Sequence, residues 1–210
     1  ISESDRNSKV PDMSAIYRTY AIRCFKANAM DFDDLLLNMN ILFRDFPAVL
    51  DEYRKRFDYI LVDEYQDTNY SQYMIVKKMS ELSRNLCVVG DDAQSIYSFR
   101  GARIENILNF KNDYPDFKLF KLEQNYRSTQ TIVNAANSII DRNEGQIKKR
   151  VFSTNDVGEK IRILQTMTDG EEGALVSSDI LDTRMRERAE WKEFAILYRT
   201  NAQSRIFEEM

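Results

Sequence analysis

Tyr59-Ile60-Leu61-Val62-Asp63-Glu64 is a short apolar run that ends abruptly in two acids. It lacks the polar–apolar alternation of a half-exposed strand, so it suits a strand buried on both faces of a parallel sheet. A helical stretch over about 70–83 follows. A second run of the same kind, Leu86-Cys87-Val88-Val89, ends at Gly90-Asp91. Strand, helix and strand in this order predict a parallel crossover and a three-layer α/β domain.

The pattern extends in both directions. Downstream, a helix is expected near 104–112, a third strand over Phe117–Leu122, and a helix capped by Ser128 or Thr129 reaching about Arg142. The stretch 143–160, with Gly145, Gly158 and the Lys148-Lys149-Arg150 cluster, reads as irregular or linking. Strands are expected again at Ile161–Leu164 and Phe194–Leu197, around a helix from about Gly170 to Glu187. Upstream, residues 11–56 read as helices. Pro11 fits a first helical position. Met13, Ile16, Tyr17, Tyr20, Cys24 and Phe25 recur at helical spacing, a second helix starts near Asp31, and Pro47 opens a third.

Composition narrows the chemistry. The 210 residues are 43% hydrophobic and 30% charged, too apolar for disorder. The formal net charge of −4 argues against a broad non-specific grip on nucleic acid, while leaving room for a local basic groove. There is no histidine, which removes imidazole as a general base or metal ligand. Six glycines form neither a G-x-x-x-x-G-K-[ST] phosphate loop nor a G-x-G-x-x-G fingerprint. Cys24 and Cys87 make no C-x-x-C pair, so a reduced, cytoplasmic setting is expected. The longest apolar run is far short of the roughly 18 residues of a membrane span. Neither end, Ile1-Ser2-Glu3 or Glu208-Glu209-Met210, reads as a natural terminus.

Three segments carry reactive side chains. Carboxylates at the carboxyl end of a parallel strand sit where α/β sheets bind ligands, so Asp63 suits a water-mediated Mg²⁺ contact and Glu64 the activation of an attacking water. The loop after the second run, Gly90-Asp91-Asp92-Ala93-Gln94-Ser95-Ile96-Tyr97-Ser98-Phe99-Arg100-Gly101, sets an amide, two aromatics and an arginine together. Gln94 could sense a terminal phosphate, and Tyr97 and Phe99 could stack on unpaired bases. In Glu123-Gln124-Asn125-Tyr126-Arg127, an arginine between strand and helix could clamp a phosphate.

These segments, in this order and spacing, resemble superfamily 1 DNA helicases of the UvrD/PcrA/Rep type. VDEYQDTN (62–69) is similar to the family's motif II, VVGDDAQSIYSFRGA (88–102) to motif III and LEQNYRST (122–129) to motif IV. Asp31–Leu36 and Leu197–Arg205 add to the likeness, which covers about residue 28 to the end. One departure is Phe99, where the family commonly has tryptophan; the π face is smaller.

The resemblance implies a RecA-like parallel sheet flanked by helices. A helical segment over 1–56 would precede the first motor core at 57–122, and part of a second RecA-like domain would follow at 123–210. It implies ATP and Mg²⁺ as cofactors, and single-stranded DNA with single-strand/duplex junctions as partners, with 3′ to 5′ translocation and no membrane. Asp63 would hold Mg²⁺ and Glu64 activate water. Gln94 would touch the γ-phosphate, Tyr126 would lie beside the nucleotide base, and Arg127 would act as the arginine finger. Tyr97 and Phe99 would stack on DNA bases, with Arg100 linking the two sites. Asn201 and Arg205 would contact the DNA backbone, while Asp31–Leu36 would pack helices. Lacking the Walker A loop and motifs V and VI, the chain is expected to be an internal piece of a longer helicase, inactive by itself. Two alternatives remain at this level. One is a nucleic-acid-binding or regulatory module of helicase-like fold. The other is a metal-dependent nuclease built on Asp63, Glu64, Asp67, Asp91 and Asp92, disfavoured because no lysine stands in a D-x-[DE]-x-K arrangement.

Overall fold

The computed structural model describes residues 12–210. Pro11 therefore lies outside the described residues. The chain forms two compact units. The first runs through Arg127 and takes in Val133–Thr154; the second consists of Ser128–Ile132 with Asn155–Met210.

In the first unit, helix α1 (Met13–Lys26) leads to α2 (Phe32–Asp45). A reciprocal cap starts α2: the Asp34 N–H donates to Asp31 Oδ1 at 2.8 Å, and the Asp31 N–H donates to Asp34 Oδ2 at 3.2 Å. Such a cap is worth about 1 kcal/mol, and Asp33 and Asp34 also suit the positive end of the helix dipole. Helix α3 (Pro47–Arg56) has proline at its first position, where no N–H is needed. Phe43 and Leu50 are buried between these helices, with Phe43 edge-on to Tyr53 at 5.7 Å.

Strand β1 (Ile60–Val62) pairs in parallel with β2 (Leu86–Val88), in the register Ile60 with Leu86 and Val62 with Val88. The crossover between them is α4 (Tyr70–Ser80), started by a second reciprocal cap between Asn69 and Gln72. Burial on both faces does not hold for these strands. Leu61 is 75% exposed and its register partner Cys87 is exposed too. Alternate side chains point to opposite faces, so the face bearing Leu61 and Cys87 is open, while Ile60 and Val62 point the other way, into partial burial.

The helix expected over 104–112 is two short ones, α5 (Glu105–Leu108) and α6 (Phe110–Asp113), broken at Asn109. An aromatic core lies here. Phe110 stacks on Tyr114 at 4.7 Å and meets Tyr65 edge-on at 6.0 Å. Tyr65 is only 1% exposed, and burial, then the neighbouring Tyr114, Tyr73 and Asp113, pushes its phenol well above the usual range. Helix α7 (Gln130–Ile140) follows.

The second unit contains α8 (Asp169–Glu187), capped by Thr168, and α9 (Ser204–Glu209). They meet at Gly173, where an added Cβ would stand 2.6 Å from Ile206 Cγ2.

The sheet is smaller than the expected RecA-like one. Among the described residues it has two strands, and 117–122, 161–164 and 194–197 are not strands. A strand is completed by a neighbour's ladder, and those segments have none; the beginning of one survives as a single parallel bridge between Gln124 and Phe152. Among the described residues no helix is long and apolar enough to cross a membrane.

Candidate functional site

The site grows from the carboxyl ends of β1 and β2. After Val62 the backbone turns at once. Glu64 takes a left-handed conformation (φ 48°, ψ 44°), and its N–H donates to Asp63 Oδ1 at 2.9 Å. For a residue other than glycine this geometry costs about 1 kcal/mol or more, and it persists only where the surroundings hold it. Both acidic side chains remain exposed at the strand tip.

Gln66 is what holds them. It is fully buried. Its amide nitrogen donates to Glu64 Oε2 at 2.7 Å and approaches Asp67 Oδ2 at 3.4 Å. Its side-chain oxygen accepts the Asp91 N–H at 3.0 Å, and its backbone oxygen accepts from Ser95 Oγ at 3.2 Å. One buried amide thus ties the acids after β1 to the loop after β2. Gly90 makes the approach possible, since a Cβ there would lie 2.5 Å from Gln66 Oε1 and 2.9 Å from Ile107 Cδ1.

The β2 loop has its own network. Asp91 Oδ1 accepts from the Ala93 N–H at 3.0 Å, and Asp91 Oδ2 accepts from Gln94 Nε2 at 2.8 Å. Lys149 Nζ reaches Asp91 at 2.6 Å and Asp92 at 3.7 Å. Burial pushes the Asp91 carboxyl up, but Lys149, Gln94 and the Ala93 N–H outweigh it and hold the group below the usual carboxylate range. Asp92 is buried and accepts the Ile147 N–H at 2.8 Å.

Beyond Gln94 the loop presents its aromatics. The rings of Tyr97 and Phe99 are 6.0 Å apart and tilted 46°; Phe99 is 71% exposed. The Arg100 guanidinium lies 5.3 Å from one ring centroid and 5.4 Å from the other, so its partners here are the two aromatics. Gly101 closes the turn at φ 85°, a conformation open to glycine.

The fold therefore brings Asp63, Glu64 and Gln94 into one bonded cluster at the sheet end, with Tyr97, Phe99 and Arg100 on the same loop. Arg127 is exposed and is not bonded into that cluster; its N–H donates to Asn125 Oδ1 at 2.9 Å. Tyr126, 77% exposed, donates its hydroxyl to Gln124 Oε1 at 3.0 Å. Asn201 and Arg205 belong to the second unit. Asn201 opens a short turn, and Arg205 pairs with Glu209 one helical turn on at 2.7 Å. Sequence reasoning misses the roles of Gln66 and Lys149: Gln66 stands within the 62–69 stretch but nothing there signals its burial, and Lys149 lies in a stretch that reads as a linker.

A metal ion can be tested against these side chains. Among the described residues no three Asp, Glu, Cys or His side chains converge on one point. Mg²⁺ in phosphoryl transfer commonly takes one or two carboxylates and fills its shell with phosphate oxygens and water. The exposed Asp63 carboxylate fits that pattern. The Asp91 and Asp92 carboxylates are engaged by Lys149, Gln94 and backbone N–H groups, which removes two of the five acids a nuclease centre would use.

Comparison with known proteins identifies relatives of the chain. A model of the UvrD/REP helicase N-terminal domain matches residues 2–115, and a model of the UvrD-like helicase C-terminal domain matches 120–210. The ATP-dependent DNA helicase PcrA of Staphylococcus epidermidis is 46% identical over 197 residues, and that of Staphylococcus aureus 47% identical over 197 residues. Each alignment covers 94% of this chain and 27% of the relative, so the chain spans about a quarter of the length of the curated relatives it matches. With one family model spanning more than half of the chain and a second taking up most of the rest, the chain belongs to the UvrD/REP helicase family.

Proposed function

We propose that this chain is part of the motor of an ATP-dependent DNA helicase that moves 3′ to 5′ along single-stranded DNA. The supporting observation is the Gln66 bridge, which fixes Glu64 against the loop that carries Gln94, Tyr97 and Phe99. A water-activating acid and a base-stacking loop are thereby parts of one bonded body. ATP, the substrate, binds at the sheet end of this core (57–122), and 123–210 begins a second motor domain.

Glu64 accepts a proton from the attacking water as its oxygen adds to the γ-phosphorus and the bond to the β–γ bridging oxygen breaks. Mg²⁺, held through Asp63, supplies charge neutralisation on the phosphates. Gln94 donates its amide N–H to the γ-phosphate. Arg127 stabilises the charge that develops there, and Tyr126 packs beside the nucleotide base. Tyr97 and Phe99 stack on DNA bases, each stack worth about 1–3 kcal/mol. Arg100 supports both rings, and Asn201 and Arg205 take backbone phosphates. A cytoplasmic setting and binding at single-strand/duplex junctions fit this activity.

The test is Glu64→Gln in the full-length gene product. The swap keeps the shape and removes the base. Loss of a general base lowers hydrolysis by about 10²–10⁴-fold, with single-strand binding retained. Hydrolysis at the wild-type rate would sink the assignment.

A further inference from the structure

The Lys148-Lys149-Arg150 cluster looks like a linker in sequence and is pinned in the structure. The Lys148 carbonyl accepts from Lys121 Nζ at 2.6 Å, and the Arg150 N–H donates to Glu123 Oε1 at 3.0 Å. The Ile147 N–H donates to Asp92 Oδ2 at 2.8 Å. Between these anchors the Lys149 side chain, only 20% exposed, turns inward onto Asp91 and Asp92. The Asp92 side chain is 3% exposed, so its charge has almost no water of its own. A buried carboxylate is stable only when paired and hydrogen-bonded.

Asp91 stands directly behind Gln94. Its Oδ2 accepts from Gln94 Nε2, which fixes which end of the amide is nitrogen and leaves the second N–H of that nitrogen to donate elsewhere. The arrangement has an electrostatic cost. Two carboxylates beside an amide that must meet an anionic phosphate oppose that phosphate, and at partial burial the repulsion is poorly screened. Lys149 is the cation that touches both.

The geometry points to Lys149 as a positioning residue for nucleotide binding: it cancels the charge of Asp91 and Asp92 so that Gln94, oriented by Asp91, can donate its free amide N–H to the terminal phosphate of a nucleoside triphosphate. This inference rests on the ATPase assignment of the same site. It also gives the segment 145–150 a task, as a latch that docks on the β2 loop from 58 residues downstream.

The test compares Lys149→Met with wild type in the full-length gene product. Loss of the ammonium raises the KM for ATP about tenfold with kcat within about twofold, the mark of lost binding rather than lost chemistry. The defect narrows in part as salt is raised, because added ions reach and screen the part-exposed Asp91 carboxylate. Adding Asp91→Asn to Lys149→Met restores part of the KM, since the two positions are coupled. Hydrogen exchange at the Ile147 amide quickens in Lys149→Met, a readout that needs no nucleotide. An unchanged exchange rate, or a KM equal to wild type in an active enzyme, overturns the latch and leaves the ATPase assignment standing. A decrease in kcat alone, insensitive to salt, marks a merely structural lysine and overturns it as well. A wild-type protein without ATPase activity overturns both.

Discussion

Gln66 has two amide hydrogens, a side-chain oxygen and no access to water. Its bonds run to Glu64, Asp67 and Asp91. Gln66→Ala leaves the Asp91 N–H without this acceptor and frees the Glu64 carboxylate to rotate. An unmet buried donor costs about 1–3 kcal/mol, so urea unfolding of Gln66→Ala should show a loss of that size, together with slower ATP hydrolysis. A midpoint equal to wild type would mean that the bridge carries no weight. Asp63, Glu64 and Gln94 were legible in sequence because each lies one or a few residues past an apolar run. The roles of Gln66 and Lys149 were not, because each depends on a contact to Asp91, 25 and 58 residues away, and a contact of that range leaves no local pattern.

Elements whose causes are local could be read in advance. A helix start near Asp31 and another at Pro47 were both legible, and Asp31 caps α2 through Asp34 while Pro47 opens α3. Strands fared differently. Ile60–Val62 and Leu86–Val88 were visible and do pair, while 117–122, 161–164 and 194–197 have the right composition and no ladder. Composition belongs to a segment, but a strand belongs to a pair. Contacts between elements also set the response to acid. Asp113 on α6 pairs with Lys77 on α4 and accepts the Tyr73 hydroxyl at 2.7 Å. Burial pushes the Asp113 carboxyl up, yet Lys77 and Tyr73 together hold it below its ordinary value, as Lys149 and Gln94 do for Asp91. A depressed folded pKa contributes stability that is complete above the unfolded value of about 3.9 and is lost as pH falls through the lower folded value. Thermal melts should therefore hold level down to about pH 4 and drop below it. Asp113→Asn should flatten part of that drop, and an acid limb identical to wild type would contradict the pairing.

At the scale of the whole molecule, two compact units carry different parts of the proposed motor: the acids, the amide and the stacking loop in the first, Asn201 and Arg205 in the second. Among the described residues the sheet has two strands, and its face at Leu61 and Cys87 is open. In the proposed motor, hydrolysis and DNA grip share one bonded body through the β2 loop. The most direct measurement is the ratio of ATPase rates with and without oligo-dT in the full-length gene product, for wild type and for Tyr97→Ala combined with Phe99→Ala. The ratio should be well above one for wild type and fall toward one when both rings are gone, with oligo-dT affinity weakened at least tenfold, since each stacked base is worth about 1–3 kcal/mol. A double variant that keeps both the wild-type ratio and the wild-type affinity would contradict this coupling.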